Sequence, residues 1–137
     1  MFYLAKIENG RMNVPEPEYL EAKKEVIAYG EALMLTDGKL TKCTSGAPKY
    51  IAMGDIKQKD LDGLAADKYV TIPVCRVESN QVYDVPVSAV PTALKVGDKV
   101  TLDSDALGVT ATTTNGVVTI VSLNGATKAG DIITVRI

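Results

Sequence analysis

The chain has 137 residues, with 15 Lys and Arg against 17 Asp and Glu, no histidine, no tryptophan and a single phenylalanine. Such a length suits one compact domain that needs neither metal nor disulfide to fold, with a core of Val, Ile, Leu, Ala and Met. The interspersed, near-neutral charge leaves no basic block to follow a phosphate backbone, so nucleic acid is not an expected partner. Without histidine the commonest general base, nucleophile activator and transition-metal ligand are all missing, so neither an enzyme nor a bound cofactor is expected.

The first residues, Phe2 to Ile7, form a short apolar run, too short for a secretory leader, and no stretch approaches the roughly eighteen apolar residues of a membrane span. The expectation is a protein made in a cytoplasm with no membrane partner. Asn9-Gly10 predicts a two-residue hairpin turn leading back through Met12 and Val14. Pro15-Glu16-Pro17-Glu18 reads as an extended, semi-rigid spacer, because neither proline can donate a ladder hydrogen bond. Tyr19 to Val26 has the propensity for a helical turn or two, although its amphipathicity is weak.

From Val26 onward the pattern turns to β. Short strands are predicted at Val26–Tyr29, Ala32–Leu35, Lys39–Cys43 and Tyr50–Met53, with Asp37-Gly38 supplying the positive-φ pair of a tight hairpin. In that hairpin Leu33 and Leu35 are expected on one face and Met34 on the other. Lys57 to Lys68 reads as a polar loop or one short helix, with Leu61 and Leu64 at helical spacing. Tyr69 to Val77 reads as a long strand whose Pro73 argues for an edge or a bulge, and Val82 to Val87 as another. Pro86 and Pro91 bracket a connector, a Thr-rich strand is predicted from Thr110, and Ile132 to Ile137 closes the chain as an apolar strand. The predicted class is all-β with minor α: a small β-barrel or β-sandwich body over residues 26–137, preceded by an extended N-terminal arm and spacer over residues 1–25.

A glycine followed by an acidic residue precedes a strand three times, at Gly30-Glu31, Gly97-Asp98 and Gly130-Asp131. Two readings stand: an internal β duplication with sub-units 26–87 and 92–137, or convergent turn chemistry wherever a strand begins. Cys43 and Cys75 match neither a zinc spacing nor a redox pair and read as partly buried free thiols, with a disulfide as the alternative. Asp98, Asp103 and Asp105 lack the remaining ligands of a calcium loop and read as a solvated turn.

The candidate binding residues lie in the arm: Phe2, Tyr3, Leu4, Ile7, Pro15, Pro17, Tyr19 and Leu20. Either the arm folds back and buries its apolar residues on its own sheet, or it adds itself as a strand to a partner's sheet, with main-chain hydrogen bonds supplying affinity and alternate side chains filling pockets.

The runs Gly30 to Lys42, Tyr50 to Gly54 and Thr71 to Val74 resemble the head decoration (cement) proteins of tailed bacteriophages, including the lambda-like type. That resemblance implies a β-rich structural protein of the virion that stabilises the head by sitting on the outer capsid surface as a homotrimer. Its partners would be the major capsid protein and further copies of itself, with the arm augmenting a capsid strand. The alternative is a small β-barrel binding or carrier module, because Lys95 to Val100 also resembles the strand opening of biotinyl and lipoyl carrier barrels; neither Lys39 nor Lys99 has the flanking Met or Ala of a modifiable lysine.

Overall fold

A computed structural model describes residues 1–8 and 15–137; the expected Asn9-Gly10 hairpin lies outside them. Among the described residues ten strands and one helical turn run in the order β1 (Tyr3–Ile7), β2 (Glu18–Glu21), β3 (Ala32–Thr36), β4 (Lys39–Lys42), β5 (Tyr50–Ala52), α1 (Gln58–Leu61), β6 (Thr71–Arg76), β7 (Gln81–Pro86), β8 (Lys99–Val100), β9 (Val118–Ser122) and β10 (Ile132–Arg136). They build two antiparallel five-stranded sheets, ordered β1-β7-β10-β9-β8 and β2-β6-β5-β3-β4. The sheets are not closed into a barrel, so the body is a small sandwich.

The segment expected to stand outside the body as an arm instead supplies an outer strand to each sheet. Tyr3 to Ile7 pair with β7, and Glu18 to Glu21 pair with β6. Tyr19–Val26 is therefore strand and connection rather than helix: Ala22 bridges Leu40, and Ile27 bridges Ile56. The extended path wins because it buries Ala22 and, just beyond the segment, Ile27, which an isolated helix of that length would leave in water.

Two cores result. The first lies between the sheets and gathers Phe2, Tyr83, Val85, Ile120, Ile133 and Val135 with Ala32 and Ile51 of the second sheet. The second lies on the far face of that second sheet, where Leu33, Tyr50, Ala52, Ile72 and Val74 meet Ile27, Ile56 and Leu40. The second sheet is thus buried on both faces, which is why all three residues of β5 are buried although strand side chains alternate. Leu33 faces the second core and Met34 packs against the first, while Leu35, expected beside Leu33, is exposed near the hairpin tip.

The Asp37-Gly38 turn forms as expected: both residues have positive φ (53° and 74°), and Thr36 pairs with Lys39. Pro73 does not sit on an edge, because β6 runs between β2 and β5. It lies just past the end of β5, where its carbonyl accepts the Met53 N–H and its ring packs on Gly54, so the missing N–H falls beyond the last β5–β6 pair, Ala52 with Val74.

The three glycine-acidic pairs share one device. In Ala28–Glu31, Lys95–Asp98 and Lys128–Asp131 the fourth N–H bonds the first carbonyl, and the third residue is glycine with φ of 76°, 94° and 90°. The acidic side chain then accepts the N–H of the first residue, at 2.9, 2.8 and 3.0 Å. Each glycine N–H also donates to a neighbouring strand or its extension, at Ala52, Ile120 and Val87, and the N–H of that same residue returns to the carbonyl of the acidic residue. A turn with positive φ only at its third position requires glycine there, and the carboxylate clamps it shut.

Candidate functional site

The alternation of β1 divides the candidate binding residues. Phe2 is 2% exposed and meets Tyr83 edge-on, with ring centroids 6.2 Å apart, whereas Tyr3 is 62% exposed. On β2, Tyr19 is 68% exposed and Leu20 packs against the second core. Leu4, Ile7 and Pro15 are half-buried and Pro17 is exposed. The two halves of the set are held apart, since β1 and β2 are terminal strands of different sheets. Ion pairs secure both ends of the segment between them: Arg136 binds Glu8, and Arg76 binds both oxygens of Glu18 at 2.7 and 3.1 Å. The Arg76 partner holds the Glu18 carboxyl below the ordinary glutamate range.

Beside β1 a cavity of about 190 Å³ opens between the sheets, lined by Phe2, Tyr3, Leu4, Tyr29, Met53 and Cys75 among others. It is smaller than the roughly 300–1,000 Å³ of small-molecule sites and suits a single inserted side chain. Tyr83 and Cys75 in its wall are already engaged. The Tyr83 hydroxyl donates to Gln81 Oε1 at 2.5 Å, the same oxygen accepts the Glu78 N–H, and Gln81 Nε2 reaches Cys75 Sγ at 3.9 Å. Burial drives the Tyr83 phenol well above its ordinary pKa. Tyr29 and Met53 were not among the expected binding residues. Tyr29 occupies the second position of the Ala28–Glu31 turn, whose side chain points outward, so the Tyr-Gly-Glu triplet was the available signal.

Cys43 and Cys75 are both free and buried, and burial raises both thiols above their usual pKa. Asp98 is occupied in its turn, while Asp103 and Asp105 accept the Gly108 and Leu107 N–H groups in the loop after β8. Among the described residues no group of three or more His, Cys, Asp or Glu is placed to hold a metal ion. Lys39, just beyond the hairpin turn, is bonded to Glu21 at 2.6 Å and lies 4.1 Å from the Tyr69 ring centre. An ammonium so engaged is not presented for modification. No described helix is long and apolar enough to cross a membrane.

Exposed aromatic side chains thus project from both outer strands, Tyr3 from β1 and Tyr19 from β2, and Tyr29 stands half-exposed at the small apolar cavity beside β1. Compared with known proteins, the chain matches no family model and no curated protein.

Proposed function

We propose that the protein is a structural decoration protein that binds the outer surface of a tailed-phage head, as a homotrimer, through its N-terminal strands. The observation that carries this reading is the placement of β1 and β2. Each ends a different sheet, and each projects a tyrosine that its own fold leaves more than half exposed. A terminal strand offers unpaired main-chain groups for augmentation, and tyrosine supplies large contact area at low entropic cost. The resemblance of the Gly30–Lys42 and Tyr50–Gly54 runs to phage cement proteins supports the choice of a capsid as partner.

Deleting the first twenty residues would test folding as well as binding, since Phe2 belongs to the core. Tyr3→Ser combined with Tyr19→Ser separates the two. We expect the wild-type chain to co-purify with heads at many copies per particle, and the double variant to keep its melting temperature while losing at least roughly tenfold in shell affinity. Absence of the protein from purified particles would end the reading, and undiminished shell binding by the double variant would remove the N-terminal strands from it.

A further inference from the structure

Glu31 and Gln81 are the buried polar or charged residues among those described. Gln81 is fully engaged, but Glu31 is not. Its Oε2 accepts the Ala28 N–H at 2.9 Å, while Oε1, also buried, has no hydrogen-bond partner and lies 3.8 Å from Lys42 Nζ. An ionised carboxylate in that position is under-compensated.

The loop 103–108 lies against this site. Ala32, next to Glu31, donates its N–H to the Ala106 carbonyl at 2.8 Å, and Ala106 is wholly buried in the core between the sheets. Within the loop the Asp103 and Asp105 carboxyls are neighbours, so ionising both is disfavoured. Asp103 Oδ1 accepts the Gly108 N–H and Asp105 Oδ1 the Leu107 N–H, at 3.1 and 2.9 Å. The other charged groups facing the cluster are Lys42 from β4, Glu25 from the segment before β3, and the Met1 amino group ahead of β1. Four carboxyl groups thus meet one lysine and one amino group. The Ala28–Glu31 turn also holds the N-terminal strand, because the Gly30 carbonyl accepts the Phe2 N–H at 2.8 Å.

We propose that Glu31 and the 103–108 loop form a proton-operated clasp on the N-terminal strand. With protons on the cluster the loop stays docked and Phe2 stays tied to Gly30; once the cluster is fully ionised, repulsion loosens both together. Burial, reinforced by Asp105, pushes the Asp103 carboxyl up to about 6, and burial raises Glu31 in the same direction. Asp105 is held low by its Asp103 neighbour and the Leu107 N–H. The clasp would then release a strand that is bound in the free protein when the medium is neutral and retain it when the medium is mildly acidic. Its purpose rests on the reading of β1 as a partner-binding strand; its operation does not.

Amide hydrogen exchange on the full chain tests it without any shell, so its failure and that of the capsid reading are separable. Protection at Phe2 and Ala32, corrected for intrinsic rates, should fall roughly tenfold between about pH 5 and about pH 8, while protection at Ile133 in the middle of the first sheet holds. Asp103→Asn and Glu31→Gln, which imitate the protonated groups and keep their shape, should each reduce that fall. A flat wild-type profile, a fall shared equally by Ile133, or an unchanged fall in both variants would overturn the proposal.

Discussion

At the scale of single residues, two neighbours where β1 begins do opposite jobs. Phe2 fills the space beside Tyr83, whereas Tyr3, one step on, faces solvent. Phe2→Ala should cost about 3 kcal/mol in urea denaturation through lost burial and a residual cavity, and Tyr3→Ala no more than about 0.5 kcal/mol. The apolar character of this run was legible in the sequence, but its division between core and surface was not. Side-chain direction depends on the β1–β7 register, in which Leu4 pairs with Tyr83 and the ladder slips between Leu4 and Lys6. The burial of Glu31 was not legible for a similar reason: the loop that docks beside it, with its Ala106 carbonyl taking the Ala32 N–H, lies more than seventy residues away.

At the scale of elements, what was legible was local. The Asp37-Gly38 hairpin, the strands at 39–42, 50–52, 71–76 and 132–136, and the short helix near Leu61 all follow from turn chemistry or contiguous pattern. The recurrence of glycine with an acidic residue also proves physical: it marks three copies of one clamped turn, which accounts for the repeat without requiring duplicated hairpins. Gly97→Ala should cost about 1–2 kcal/mol in thermal or urea unfolding, even though an added Cβ there meets nothing within 4 Å. At φ of 94° the cost is conformational, so cavity or packing changes elsewhere should not relieve it. Elements that depend on distant partners were misread. Val26–Tyr29 is a connection with a single bridge, the Thr-rich segment after Thr110 is irregular, and β9 was not among the predicted strands although Asn115-Gly116 and Asn124-Gly125, with positive φ at both asparagines, frame its apolar run.

At the scale of the whole molecule, the sheet junction makes stability depend on pH. Between about pH 4 and about pH 6 the folded chain keeps a proton on Asp103 that the unfolded chain releases, so the stability it contributes is present below that window and lost as pH rises through it. Glu31 acts in the same sense. Asp105, Glu18 and Asp131, all held low, act oppositely and lose their contribution as pH falls below the ordinary carboxylate range. The melting temperature should therefore peak in mild acid. Because Asp103 is partly solvated, its share of the decline toward neutrality should be about 1–2 kcal/mol, and Asp103→Asn should flatten it.

The sequence by itself determined the all-β class, the tight turns and the absence of histidine chemistry, because each depends on residue type and short-range spacing. Tertiary structure alone decided that the N-terminal segment supplies an outer strand to each sheet, that the second sheet is buried on both faces, and that the 103–108 loop docks beside Glu31 through Ala32 and Ala106. Those outcomes depend on which distant strands pair and in what register, and the apolar surface buried by that pairing outweighs the weak local preferences of the segments involved.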